Sequence, residues 1–234
     1  GLLPVFNLWA ADVNCDGTIN ILDITMINSF ISGTGSLNCC STTTPQTYVP
    51  DNNFEAYLEI NGMGNGIPYD DSVFTSAIDT LTYLFVSMGA GSATGIFDLT
   101  GIEDFTTLKY LFCDNNQLTT LDLSQNTALT LLECQYNQLT SLNVSANVQL
   151  TTLDCGRNQL TNLNLINNTM LFQLYCSDNQ ITSLNLNNNT QLDEVHCSNN
   201  QLTTLDVSNS IILYALDCDN NNLFSLDLSS NIDL

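Results

Sequence analysis

Over residues 108–234 the apolar positions follow one order, L-x-x-L-x-C-x-x-N-x-L-x-x-L-x-L-x-x-N-x-x, which returns every 21 residues. Within each unit the apolar residues alternate with polar ones in segments of 10 and 11 residues. Such spacing does not follow a helical period, and it predicts short strands whose side chains point alternately into a core and out to solvent. A fixed repeat of this length predicts a solenoid, in which each unit is one coil stacked on the last.

Three columns of residues mark the coils. Cys113, Cys134, Cys155, Cys176, Cys197 and Cys218 keep the period without slippage. They stand where the third leucine of L-x-x-L-x-L would be, so they are expected to point into the core. Adjacent coils lie ~4.8 Å apart, whereas a disulfide wants Cβ atoms ~3.8 Å apart. The six are therefore expected to be free thiols packed as small hydrophobes. Asn116, Asn137, Asn158, Asn179, Asn200 and Asn221 form a second column, and Asn126, Asn147, Asn168, Asn189 and Asn231 a third, interrupted by Ser210. Side-chain amides at the corners of a solenoid satisfy backbone groups that turn away from the ladder.

Ahead of the repeats the pattern changes. Residues 1–10 are too apolar to stand in water and are expected to pack on a neighbour. Asp12 to Asp23 then place oxygen donors at loop positions 1 (Asp12), 3 (Asn14) and 5 (Asp16), with Gly17 at 6, the Thr18 carbonyl at 7, Asn20 at 9 and Asp23 at 12. A hard cation needs six or seven oxygens, and this alternation turns every second side chain inward to provide them. Calcium is the expected ligand, the alternative being an Asp/Asn-rich turn. Ile24, Ile27 and Ile31 share one helical face before Gly33.

Residues 12–33 resemble a type I dockerin repeat, with aspartate at loop position 12. Dockerins use two such loops together to grip a cohesin, and one is present here. The resemblance implies Ca2+ held by Asp12, Asn14, Asp16, Thr18, Asn20 and Asp23. Cys15, Cys39 and Cys40 fall in loops, where one pair, Cys15 with Cys39 or Cys40, is expected to bridge, which suits an extracellular compartment.

The chain is thus expected to divide into an apolar leader with calcium loop and helix (1–40), a linker (41–46), an N-terminal cap with irregular first repeats (47–107) and the regular array (108–234). In the third part, Asn52 and Glu55 have capping-box spacing for a short helix that puts Phe54, Tyr57 and Leu58 on one face and ends at Asn61-Gly62. Leu81, Leu84 and Val86 mark a first strand, and Ile96, Leu99, Ile102, Phe105 and Leu108 step by threes into the repeats.

Residues 47–234 resemble bacterial surface leucine-rich-repeat proteins of the 21-residue class, in which L-x-x-L-x-L occurs twice per repeat. Leu108, Leu111, Cys113 and Asn116 carry one copy, and Leu118, Leu121, Leu123 and Asn126 the other. The resemblance implies a β-rich solenoid with parallel sheets on both sides and asparagines at the corners.

The two halves of the coil differ in what they expose. In the second half the outward residues are nearly uniform: Thr120, Ser141, Asn162, Ser183, Thr204 and Ser225 in one column, and Asp122, Asn143, Asn164, Asn185, Asp206 and Asp227 in the next. Such columns are either a plain soluble face or a surface that orders water, carbohydrate or mineral. In the first half they vary: Tyr110 and Phe112, Leu131 and Glu133, Thr152 and Asp154, Gln173 and Tyr175, Glu194 and His196, Ala215 and Asp217. This sheet lines the shallow concave surface that repeat proteins use for recognition, and exposed aromatics are favoured contacts. Unselected surface variation is the other reading.

Charge narrows the partners. There are 24 acidic residues against two basic ones, Lys109 and Arg157, for a net charge of −22. Nucleic acid and anionic membrane surfaces are excluded, since both need clustered cations. No apolar run reaches the ~18 residues of a membrane span. The single histidine, His196, lies two residues from Glu194 with no nucleophile motif near it, so no catalysis is expected. Gly1 without a methionine suggests a processed or internal start, and Leu234 opens a seventh unit without a polar cap. The expectation is a non-enzymatic extracellular or cell-surface binding and adhesion module with a protein or glycan ligand. The alternative is a structural subunit of a homo-oligomeric fibre joined head to tail.

Overall fold

A computed structural model describes residues 44–87 and 95–234. Seven three-residue strands set the architecture: β3 (Tyr83–Phe85), β4 (Tyr110–Phe112), β5 (Leu131–Glu133), β6 (Thr152–Asp154), β7 (Gln173–Tyr175), β8 (Glu194–His196) and β9 (Ala215–Asp217). They form one parallel sheet in sequence order, so every coil adds one strand beside the last. The register is in step with the repeat: Leu111 lies opposite Leu132, which lies opposite Leu153, and so on to Leu216. The first interval is longer, since Tyr83 pairs with Tyr110, 27 residues on.

The alternation predicted from the sequence holds. The middle residue of each strand points inward and the two flanking ones point out. Behind the sheet the leucines and cysteines of successive coils form one continuous core, with Cys113, Cys134, Cys155, Cys176 and Cys197 fully buried and Cys218 partly so. All six are free thiols, as the coil spacing required. After each of β4 to β9 the chain turns through one residue in the left-handed region, Asn115, Tyr136, Arg157, Asp178, Asn199 or Asn220. This steers the backbone into the corner where the first asparagine column sits.

The two asparagine columns do different work. In the first, Asn137 donates through Nδ2 to the carbonyls of Cys134 and, one coil back, Cys113, while its Oδ1 accepts from the Leu118 N–H. Both ends of the amide are used, and each residue staples two coils. In the second, Asn147 donates to the carbonyls of Leu123 and Asn126, and its buried Oδ1 has no protein partner. Because only the donor end is used, a hydroxyl can stand in: Ser210 Oγ donates to the Asn189 carbonyl at 3.3 Å. That accounts for the one interruption in the column. A third, exposed set was missed in the sequence: Asn167, Asn188 and Asn209 donate to the carbonyls of Ser145, Ile166 and Asn187 one coil back.

The expected second parallel sheet is absent among the described residues. On that side each coil makes two consecutive tight turns, such as Asn126 N–H to the Leu123 carbonyl and Leu129 N–H to the Asn126 carbonyl. An outward Asp/Asn column accompanies these turns. Asp122, Asn143, Asn164, Asn185, Asp206 and Asp227 each accept through Oδ1 from the N–H two residues on. The same bond occurs beside the sheet, from Gly156 N–H to Asp154 in β6, so it is compatible with either side of the coil. One inter-coil backbone bond per coil remains there, for example Gln159 N–H to the Leu139 carbonyl, with a second, longer one from Thr182 N–H to the Thr161 carbonyl.

At the start of the array, α1 (Asn52–Ile60) buries Phe54 and Leu58, and Phe54 stacks on Phe105 of the first coils. Its N-cap is Asp51 rather than Asn52: Asp51 Oδ1 accepts from Asn53 N–H and Phe54 N–H. The other oxygen reaches Phe97 N–H and Asp98 N–H, so one carboxylate caps the helix and ties it to the coil. Glu55 is not in a capping box; it is buried and accepts from the Asp70 N–H. Asn61 and Gly62, at φ 74, end the helix as the sequence suggested. A two-stranded antiparallel pair, β1 (Gln46–Tyr48) with β2 (Ser72–Phe74), and the short α2 (Thr75–Ile78) complete this region.

Candidate functional site

The outward face of the β3–β9 sheet carries every variable position of the first half-coil. The structure places Tyr110, Phe112, Glu133, Asp154, Tyr175, Glu194, His196 and Asp217 on it, with Leu131, Thr152, Gln173 and Ala215 between them. Cross-strand pairing lines up Phe112, Glu133, Asp154, Tyr175, His196 and Asp217 in one row. The calcium ligands proposed at Asp12, Asn14, Asp16, Thr18, Asn20 and Asp23, and Cys15, Cys39 and Cys40, lie outside the described residues.

The face is chemically graded along the solenoid. At its start, Tyr83, Phe85, Tyr110 and Phe112 form an aromatic platform with ring centroids 5.3 Å (Tyr83–Phe112), 5.6 Å (Phe85–Phe112) and 6.5 Å (Tyr83–Tyr110) apart. Tyr83 and Phe85 were missed because they meet Tyr110 and Phe112 only across the 27-residue interval, which a 21-residue template steps over.

Next come Glu133 and Asp154, side by side on paired strands. Asp154 folds back to accept from the Gly156 N–H at 3.0 Å. Gly156 leaves room for this, since a Cβ there would come 3.3 Å from Asp154 Oδ1. Burial, reinforced by the charges of Glu133 and Asp114, pushes the Asp154 carboxyl up to about 6. A carboxyl raised in the fold stabilises it when protonated. That contribution is complete below pH ~4 and is lost as pH rises through about 6. Asp154→Asn is therefore expected to stabilise the protein at pH 7.5 by about 1–2 kcal/mol and to have no stabilising effect at pH 3.5, measured by urea denaturation at the two pH values.

Beyond Asp154 the side chains are cross-linked. Glu194 Oε2 accepts from Tyr175 Oη at 2.7 Å and from Gln173 Nε2 at 3.0 Å. These donors, the tyrosine first, hold the Glu194 carboxyl below its usual range, so it is ionised and only accepts. His196 Nε2, 2.8 Å from Glu194 Oε1, must then carry the hydrogen. The imidazole stacks on Tyr175 at 5.1 Å, and its Nδ1 faces Asp217 at 3.8 Å. Tyr214, just before β9, adds a long contact to Glu194 at 3.4 Å. Burial and the Glu194 carboxylate both push the Tyr175 hydroxyl up, keeping it a donor.

A shallow open groove follows the end of the strands between Gln135 and Asp217. On its rim Arg157 lies 4.7 Å above the Tyr136 ring and pairs with Asp178 at 3.3 Å. A larger depression lies on the opposite side, beside Asp98, Glu103 and Asp122. One oxygen of each carboxylate serves the local backbone: Asp98 accepts from Thr100 N–H, Glu103 from Gly101 N–H and Asp122 from Ser124 N–H. Among the described residues no three His, Cys, Asp or Glu side chains are arranged to hold a metal ion, and no helix is long and apolar enough to cross a membrane.

No protein-family model and no curated protein matches the chain. Solved structures do. The functional domain of InlJ from Listeria monocytogenes, described as including a cysteine ladder, is 36% identical over 81% of this chain and 46% of its own, with a TM-score of 0.60. The leucine-rich-repeat protein LIC12759 of Leptospira interrogans is 24% identical over 68% of this chain and 42% of its own, with a TM-score of 0.58. Internalin C2 of Listeria monocytogenes is 20% identical over 80% of this chain and 95% of its own, with a TM-score of 0.57. The chain spans about half the length of the first two. The cysteine ladder, the asparagine corners and the single parallel sheet, set beside these bacterial structures, make this a leucine-rich-repeat solenoid with a coil of 21 residues.

Proposed function

We propose that the chain is a non-enzymatic, extracellular or surface-exposed binding module whose β3–β9 face recognises a protein. The observation that carries this reading is the contrast between the two sides of one coil. On the second side the outward Asp and Asn side chains bond their own backbone in every repeat. On the sheet side the scaffold is equally regular, yet the outward residues change from coil to coil and include half-exposed Tyr83, Phe85 and Tyr110. Such aromatics supply large contact areas with little loss of side-chain entropy. Catalysis finds no support in the site: His196 bonds to Glu194, and the ladder thiols lie in the core.

Selection from a random peptide display library tests this. Peptides that bind the protein are expected to lose at least about tenfold in affinity when Tyr110 and Tyr175 are both changed to serine. They are expected to keep it when Thr204 and Ser183, on the other side, are changed to alanine. Binders sensitive only to the second pair would overturn the reading.

The Asp12–Asp23 loop is proposed to hold calcium, on the spacing of its oxygen donors alone. Calorimetric titration is expected to show one site with a dissociation constant on the order of micromolar to millimolar, lost in Asp12→Ala. No heat in the unaltered protein would refute the site.

A further inference from the structure

We infer that the partner presents a basic segment with an aromatic anchor at one end, laid along the solenoid axis across the strands. This rests on the protein-binding reading above and goes further by naming the chemistry of the occupant.

The sheet face has a polarity that an occupant must match. Half-exposed Tyr83, Phe85 and Tyr110, with partly buried Phe112 among them, make an aromatic platform at one end. Glu133 and Asp154 come next, facing each other across β5 and β6. Like charges directly opposed on a sheet repel, and among the described residues no ion pair relieves them. Arg157, one of the two basic residues, is engaged by Asp178 and the Tyr136 ring. Further along, Glu194 and Asp217 flank His196. With a net charge of −22 the whole molecule attracts cationic surfaces and repels anionic ones. A lysine or arginine between Glu133 and Asp154 removes a repulsion that the fold cannot remove itself, and an aromatic ring on the platform extends an existing cluster.

The coil spacing sets the interval between these contacts. From β4 to the midpoint of β5 and β6 is about 7 Å, and from there to the midpoint of β8 and β9 is about 14 Å, at ~4.8 Å per coil. An extended chain advances ~3.3 Å per residue, so these distances are about two and about four residues. The matching segment reads aromatic-x-basic-x-x-x-basic.

The test uses a blocked peptide with tryptophan first, lysines third and seventh and serine elsewhere, biotinylated and presented on streptavidin so that weak contacts add. Its counterpart carries glutamate for both lysines. The lysine peptide is expected to bind saturably, about tenfold or more tighter than the glutamate peptide. It is expected to weaken about fivefold or more in E133Q/D154N, whose folding is checked by circular dichroism, and to weaken with added salt. Equal binding of the two peptides, no saturable binding of either, or binding indifferent to E133Q/D154N would overturn the inference. If display-selected peptides map to the sheet face but are neutral or acidic, this inference falls and the binding reading stands. If they map elsewhere, both fall.

Discussion

Replacing Asn158 by alanine is expected to destabilise the protein by about 3–5 kcal/mol, as much as emptying a core position. Asn158 Nδ2 donates to the carbonyls of Cys134 at 3.0 Å and Cys155 at 3.1 Å, and Oδ1 accepts from the Leu139 N–H at 2.9 Å. All three partners are buried between coils where water cannot replace the amide. Each orphaned group costs about 1–3 kcal/mol. The loss also falls on the contact between neighbouring coils, which is where a solenoid draws its cooperativity. Asn168→Ser supplies the contrast. Asn168 donates to the Val144 and Asn147 carbonyls, but its Oδ1 has no partner, and Ser210 already fills the equivalent place two coils on. Its expected cost is about 1–2 kcal/mol. Urea denaturation of both variants measures the difference, and equal losses would mean that the two columns are not built differently.

The second large effect concerns the thiols. Cys113, Cys134, Cys155 and Cys176 are buried in the core, and burial pushes each thiol well above its ordinary range. The thiolate is the reacting species, so both access and ionisation oppose alkylation. Reaction must then wait for opening of the coil, and with a global stability of 5 kcal/mol or more it slows by roughly a thousandfold or more. Cys218, partly exposed in the last described coil, is raised less and is expected to react first. Iodoacetamide labelling at pH 8, read site by site by mass spectrometry, should give Cys218 long before Cys155, and all six together in denaturant. Rapid native labelling of Cys134 or Cys155 would contradict a packed thiol core.

Much of this was readable from the chain because a repeat multiplies a weak local signal. The inward leucines and cysteines, the corner asparagines and the outward row from Tyr110 to Asp217 all fell where the 21-residue spacing put them. The missing second sheet was not readable from L-x-x-L-x-L, which is the same in both half-coils. The bond from Asp122 to the N–H two residues on does not separate them either, since Asp154 accepts in the same way from within β6. The spacing of Asn52 and Glu55 points to Asn52 as the helix cap, and Asp51 fills that place. The choice is made at long range, because the second oxygen of Asp51 reaches Phe97 N–H and Asp98 N–H, 46 and 47 residues away. Tyr83 and Phe85 escaped for a similar reason, since the longer first interval hides their register with β4. The Tyr175–Glu194–His196 network joins residues of neighbouring coils in a way that only stacked strands reveal.

Hydroxyl-radical footprinting, with and without a display-selected peptide bound, tests the claim about the sheet face most directly. The surface supplies its own reporters: Tyr83, Phe85 and Tyr110 are half-exposed on the face, while Tyr48 and Phe224 are more exposed away from it. Binding is expected to cut oxidation of the first three severalfold and leave Tyr48 and Phe224 unchanged. Protection of Tyr48 or Phe224 with no change at Tyr83, Phe85 and Tyr110 would place recognition elsewhere on the solenoid.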